Sequence, residues 1–277
     1  AYATNAVAHN GAGLAIGDVD GDGWPDIYLC TLQGENELYR NLGDWHFERM
    51  AIGAAACAGQ FSTGAVFADV DGDGDLDLLV AGIRAGTRLF LNDGRGHFTE
   101  STNTLLSRDG STTSMALADI DGNGTLDLYC THYIDEMHLA DPATRFGLIR
   151  RGDKWEVNKV NGESTRLPKW KDRFEATPDG KVRELAEVDG FYRNDGHGVF
   201  TPIQNEKGVF MNDRGEAIPP YRDWGLAVRF VDLNADGRPD IYVCNDLWTP
   251  DRVWINESQP GRVRFRALDK LALRSNP

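Results

Sequence analysis

The chain has 277 residues, 41% of them apolar and 26% charged, an ordinary globular balance that makes a disordered chain a poor reading. Lys and Arg number 29 against 43 Asp and Glu, and the formal charge of −14 argues against nucleic acid, whose binding needs clustered cations. No apolar run approaches the roughly 18 residues of a membrane-spanning helix, and 31 glycines with 11 prolines suit turns better than long helices.

The chain starts AYATNAVAHN, without the basic start and apolar core of a signal peptide, so the expectation is that any such peptide has been removed. The first apolar stretch, GAGLAIGDV, runs into GDVDGDGWPDIYLC from Gly17. The same pattern returns as ADVDGDGDLDLLVA from Ala68, ADIDGNGTLDLYCT from Ala118 and VDLNADGRPDIYVC from Val231. The first acidic residues, Asp18, Asp69, Asp119 and Asp232, are spaced by 51, 50 and 113. A second element follows each loop: ELYRNLGDWHF, RLFLNDGRGHF, GFYRNDGHGVF and RVWINESQPGRVRF. Its Asn (Asn41, Asn92, Asn194, Asn256) lies 23, 23, 75 and 24 residues after the first Asp. The third unit therefore carries an insertion, and four units of about 50 residues account for most of the chain.

Each unit reads as short strands. An apolar stretch precedes the acidic loop, and IYLC, LLVA, LYCT or IYVC follows it. The Asn-Asp-Gly or Asn-Leu-Gly beyond is a hairpin turn, and Phe47, Phe98 and Phe200 open the next strand. Short strands at a fixed period with no long helix predict an all-β fold, a β-propeller with blades of about 50 residues. With strands A to D numbered from the centre outward, the acidic loop joins A to B and the Asn turn joins C to D. The chain divides into residues 1–132 (blades one, two and the start of three), 133–189 (insertion) and 190–277 (the rest of blade three, and blade four).

The loop pattern Asp-x-Asp-x-Asp-Gly-x-x-Asp is a compressed calcium loop: alternate carboxylates converge, and a Gly at the sixth position allows the sharp turn. The first loop offers Asp18, Asp20, Asp22 and Asp26 with the Trp24 carbonyl. The second offers Asp69, Asp71, Asp73 and Asp77 with the Asp75 carbonyl. The third offers Asp119, Asp121, Asn123 and Asp127 with the Thr125 carbonyl, and the fourth Asp232, Asn234, Asp236 and Asp240 with the Arg238 carbonyl. Hard oxygen ligands favour Ca²⁺ over zinc or Mg²⁺. Asx-rich turns that bind nothing would leave these carboxylates repelling one another. About four Ca²⁺ ions are expected, structural rather than catalytic, and the third and fourth loops, with fewer carboxylates, bind more weakly.

These loops, with their trailing strands and the LYRN or LFLNDG elements, resemble VCBS/FG-GAP repeats, the calcium-binding blade repeats of integrin α-subunit propellers and of secreted bacterial proteins. The LYRNLGDWHF element resembles the bacterial group related to cartilage acidic protein. The resemblance covers roughly residues 10–132 and 190–270. It implies a propeller of about seven blades, a location that is extracellular, on the cell surface or periplasmic, and a role in adhesion, scaffolding or protein interaction. Some relatives are lectins or polysaccharide lyases. Four blades are visible, and the chain stops at Leu271–Pro277, where another could begin. A fragment of a longer propeller is favoured over closure by four blades or self-assembly into a ring.

Between blades three and four lies a short connector, GVFMNDRGEAI. The insertion, 133–189, leaves blade three between strands B and C, opposite the acidic loops, and contains hairpins turned at Asn161-Gly162 and Asp179-Gly180. Long elaborations on one propeller face often carry function, so a protein or glycan partner is placed there. Tyr133, His132, Trp155, Trp170, Trp248 and Arg252 are the candidates near that face. Packing of the insertion onto the propeller is the favoured reading of its aromatics. Among the cysteines, Cys30, Cys130 and Cys244 share one repeat position. A Cys30–Cys57 disulfide and buried free thiols remain equal alternatives. Arg151-Gly152-Asp153 and the sequon Asn256-Glu257-Ser258 are short matches of little weight. The chain has no recognisable catalytic motif, so a binding or scaffold module ranks ahead of a lectin. An enzyme ranks last; a lyase would have to draw on Lys169, Lys171, Arg222 or Arg252.

Overall fold

The computed structural model describes residues 12–102, 106, 110–134, 137–246 and 249–268. Trp248 and the Leu271–Pro277 segment lie outside them. The first sheet has strands β1 (Leu14–Gly17), β2 (Asp26–Leu29), β3 (Glu37–Asn41) and β4 (Phe47–Met50), side by side in chain order and antiparallel. The second repeats this with β5 (Phe61–Ala68), β6 (Asp77–Ile83), β7 (Gly86–Asn92) and β8 (Phe98–Glu100). The third uses β9 (Thr112–Ala118) and β10 (Asp127–His132). The chain then leaves as β11 (Phe146–Arg151), β12 (Lys154–Val160), β13 (Glu163–Ser164), β14 (Phe174–Ala176) and β15 (Val182–Glu184), and returns to the third sheet as β16 (Gly190–Asn194) and β17 (Phe200–Pro202). A short β18 (Phe210–Met211) precedes the fourth sheet, formed by β19 (Gly225–Val231), β20 (Asp240–Asn245), β21 (Arg252–Asn256) and β22 (Phe265–Ala267).

Successive sheets touch through their first strands, β1 against β5, β5 against β9 and β9 against β19. The first strand of each sheet is therefore its inner edge, and the sheets are propeller-type blades. Three apolar clusters fill the three junctions. Tyr28 and Leu38 meet Leu78 and Phe90; Leu79 and Leu89 meet Leu128 and Tyr192; Phe191 meets Ile241, Trp254 and Phe265. This explains why DLLVAGI of β6 and DLYCTH of β10 do not alternate: every residue in both strands is buried, because each lies between two blades. In β1 of the first blade Leu14 is 54% and Ile16 60% exposed.

The insertion forms a three-stranded sheet and a two-stranded hairpin, turned at Asn161-Gly162 and around Asp179-Gly180. A further hairpin joins β11 to β12, and Gly152 and Asp153 of the Arg-Gly-Asp tripeptide form its turn. Arg151 there pairs with Glu156, Nε to Oε2 at 2.7 Å. Packing accounts for most of the aromatics at this face. Trp170 is buried against His138 and Phe174 and donates to Glu163 (2.9 Å). Tyr133 is buried edge-on to Trp224 and donates to Asp246 (2.6 Å). Buried His132 places Nδ1 2.7 Å from the Val188 carbonyl, and Arg150 lies over Trp155. The connector is more than a link, since its β18 pairs in parallel with β22 and gives blade four a fifth strand. All four cysteines are free thiols, and burial pushes Cys30 and Cys130 up to about 12. Asn256 of the sequon is fully buried and is no surface acceptor for a glycan.

Candidate metal centres

Each acidic loop is wound around its first aspartate. Asp18 accepts backbone N–H groups from Gly21 (2.9 Å), Asp22 (3.2 Å) and Gly23 (2.8 Å). Asp119 does the same with Gly122, Asn123 and Gly124. Asp69 takes Gly72 and Gly74, and Asp232 takes Asp236 and Gly237. The sixth-position glycines need their conformation: Gly23, Gly74, Gly124 and Gly237 have φ of 87°, 94°, 88° and 85°, where a Cβ is strained.

The last aspartate ties the loop to the sheet. Asp77 accepts Val70 N–H (3.0 Å) and Asn92 N–H (2.9 Å) on its two oxygens. Asp26 does so with Val19 and Asn41, Asp127 with Ile120 and Asn194, and Asp240 with Leu233 and Asn256. All four are fully buried. Burial, and secondarily the neighbouring loop carboxylates, push Asp77 up to about 6 and Asp127 up to about 7 against the pull of those N–H groups.

Three groups of carboxylates converge among the described residues: Asp18, Asp20 and Asp22; Asp69, Asp71 and Asp77; Asp119, Asp121 and Asp127. Within each, one oxygen per residue lies within 4.8 Å of the others. Asp26 stands outside the first group and Asp73 outside the second. In all four loops the fifth residue, Asp22, Asp73, Asn123 or Asp236, accepts the N–H of the seventh, Trp24, Asp75, Thr125 or Arg238. The Trp24 ring lies beside Gly43. The third centre fits a cation on a specific ground: Asp121 is 4% exposed, and its Oδ1 has no hydrogen-bond partner. An orphaned anionic oxygen is costly unless a cation meets it. An internal cation already faces two loops. Arg40 lies against Asp20 and Asp22 (3.1 Å to the latter). In the fourth loop Arg238 pairs with Asp236 and donates to the Asn256 carbonyl at 2.9 Å, while Asn234 also donates to Asp236. The acidic residues of that loop form no converging group.

The loops also carry a contact that the sequence reading missed. The repeat asparagine, read there as a turn residue, crosses to the preceding blade. Asn92 donates to the Val19 carbonyl and Asn194 to the Val70 carbonyl, both at 2.8 Å, and Asn256 donates to the Ile120 carbonyl at 2.9 Å. Its near-constant offset from the first aspartate in the three units without the insertion, 23, 23 and 24 residues, was the signal available.

The FG-GAP-like repeat family model matches residues 18–80 and 69–130, the stretches that hold the first three loops. The chain carries FG-GAP-like repeats on β-propeller blades. No curated protein matches it. Similar solved structures include the BP39L lectin from Burkholderia pseudomallei, 13% identical over 92% of this chain and 70% of that one, with a TM-score of 0.37. Another is BBS1N in complex with ARL6DN, 10% identical over 93% of this chain and 68% of that one, with a TM-score of 0.33.

Proposed function

We propose that the chain is a calcium-stabilised binding module that works outside the cytoplasm and holds a protein partner on the face carrying the insertion. The observation that carries this reading is the convergence of three carboxylates in each of the first three loops, with the orphaned Asp121 oxygen in the third. All-oxygen donors on a flexible loop suit Ca²⁺ better than Mg²⁺, which resists losing its water, or zinc, which prefers nitrogen and sulfur. The fourth loop is the weakest of the four expected sites, because its acidic residues form no converging group and Arg238 engages Asp236.

An ion in such a loop would do more than neutralise charge. The loop shares its last aspartate with the strand bearing the repeat asparagine, and that asparagine grips the neighbouring blade. Ordering one loop therefore orders a blade junction. Binding rather than catalysis is favoured because two of the four basic side chains a lyase could draw on are engaged in ion pairs: Lys169 with Glu163 and Arg252 with Asp223. The extracytoplasmic assignment is supported by the FG-GAP-like repeats and agrees with the proposed ion, which is abundant outside the cytoplasm.

Thermal melts in EGTA, with Ca²⁺ restored, and with Mg²⁺ alone test the reading. Each site should add about 2.7 kcal/mol when the free ion is at a hundred times its Kd. A calcium-specific rise is expected. Equal melts in all three, with no metal in the purified protein, would remove the calcium reading.

A further inference from the structure

The three blade junctions are built from one set of repeat positions, and that set recurs in the first blade, which has no preceding blade among the described residues. Ala15 and Tyr28 lie in the apolar cluster shared with blade two, so by alternation Leu14, Ile16 and Ile27 point the other way. In the later blades the same positions fill a junction. Leu78, Leu128 and Ile241, at the place of Ile27, are fully buried. Phe67, Leu117 and Phe230, at the place of Ile16, pack into the clusters shared with the preceding blade. In blade one Leu14 and Ile16 are exposed and Ile27 is half-buried. Trp45 is 90% exposed where the next two blades have Gly96 and Gly198, whose Cβ sites abut the preceding blade. Its ring enlarges the same apolar face.

Blade four presents the opposite half. Val19, Val70 and Ile120, one residue into each of the first three loops, are buried in the cluster shared with the following blade. Their counterpart Leu233 is exposed. Met50 and Ile203 pack into those clusters too, and their counterpart Leu268 is also exposed.

The polar groups divide in the same way. Asn92, Asn194 and Asn256 donate across a junction to the carbonyls of Val19, Val70 and Ile120. Asn41 keeps the bonds within its own blade, donating to the Pro25 carbonyl (3.1 Å) and accepting the Gly43 N–H (3.0 Å). Asn256 does likewise with Pro239 and Ser258. No described blade offers Asn41 the crossing carbonyl. The next carbonyl in the series belongs to Leu233, and no described asparagine donates to it. The first blade thus holds half of a junction, and the fourth blade holds the half that matches it.

We propose that these halves meet between two copies of this chain: blade four of one copy docks on blade one of the other, and the Asn41 amide takes the Leu233 carbonyl of the second copy. Charge favours this pairing of unlike faces. Residues 14–50 carry eight acidic and two basic side chains, whereas residues 225–267 carry six of each. Two first blades would repel, and a first blade on a fourth would not. Contacts between unlike faces either close a ring or run on as a fibre. Two copies give eight blades, within the range of closed propellers. The proposal goes beyond the binding function above and depends on neither its metal sites nor its partner.

Sedimentation velocity over a concentration series, in saturating calcium, reads the contact. Two variants accompany it, Ile16→Asp on blade one and Leu268→Asp on blade four. Both side chains are exposed in the single chain, so each variant should keep the circular dichroism spectrum of the unaltered protein. The expected result is a dimer of the unaltered chain and a loss of about a hundredfold or more in affinity for each variant alone. Mixing the two variants should restore association, because the first keeps an intact blade four and the second an intact blade one. Asn41→Ala should weaken the dimer about tenfold. A monomer at every concentration would overturn the proposal, and so would variants that stay apart when mixed. A dimer that survives either aspartate substitution would overturn it too; survival of Leu268→Asp alone would mean that first blade meets first blade.

Discussion

The side-chain amide of Asn256 donates a 2.9 Å hydrogen bond to the backbone carbonyl of Ile120, joining the fourth blade to the acidic loop of the third. The same amide donates to Pro239, and Asn256 Oδ1 accepts the Ser258 N–H. Asn256 is fully buried, so water cannot replace these partners. Removing a buried partner costs the desolvation of whatever is left behind. Asn256→Ala is expected to lower stability by about 2–3 kcal/mol in urea denaturation. A loss near zero would mean that the apolar junction alone holds these blades together.

At the fourth position of the loops the first three carry Gly21, Gly72 and Gly122, with φ of 73°, 80° and 75°, whereas the fourth carries Ala235 with φ of 61°. The left-handed conformation costs a Cβ-bearing residue roughly 1–2 kcal/mol, partly offset by the greater freedom glycine has when unfolded. Ala235→Gly should therefore stabilise the chain by about 0.5–1 kcal/mol, and Gly122→Ala should destabilise it by a similar amount. Urea midpoints of the two variants check this, and a destabilising Ala235→Gly would refute the argument.

Much of the architecture was legible because the 51- and 50-residue spacings repeat one local chemistry. Alternating aspartates around glycines fix a loop, and an apolar run after each loop fixes a strand. The reach of Asn256 to Ile120 was not legible, because an asparagine before a turn already has a sufficient local explanation. Nor was the β18 pairing, since two residues carry no periodicity. Trp170 and Tyr133 could have been surface platforms or packing residues. Only the positions of His138 and Trp224, distant in sequence, decide that they are packed.

Asp189 sits just ahead of β16 and holds the third blade to the root of the insertion. It accepts the His132 N–H (2.8 Å) and the Tyr129 hydroxyl (2.9 Å). Burial, with a smaller push from Asp223, raises its carboxyl from 3.8 to about 7, while Asp223 itself is gripped by Arg252 at 2.6 and 3.1 Å. A raised carboxyl favours the fold while protonated. Its stabilising contribution is complete below 3.8 and is lost as the pH rises to about 7. Asp189→Asn has no charge to bury, so its stability relative to the unaltered chain should climb across that window, by on the order of 2 kcal/mol after allowance for solvent screening. Urea midpoints at several pH values in saturating calcium would show it. A difference that stays constant with pH would mean that Asp189 titrates normally.

The third loop allows a test in which one substitution has opposite effects in two buffers. Asp121 Oδ1 is buried without a hydrogen-bond partner, and its carboxylate belongs to the group formed with Asp119 and Asp127. Without metal, three carboxylates crowd one point and Asp121→Asn removes one of the charges. The melt in EGTA should stay level or rise, by up to about 1 kcal/mol. With calcium present the same change removes an anionic ligand, and a tenfold loss of affinity lowers the calcium-dependent gain by about 1.4 kcal/mol. The two melting curves should therefore rank the variant above or level with the unaltered chain in EGTA and below it in calcium. A structural role for Asp121 would make the variant weaker in both buffers, and an empty loop would leave the ranking unchanged by calcium. Only a cation held at that oxygen reverses the order.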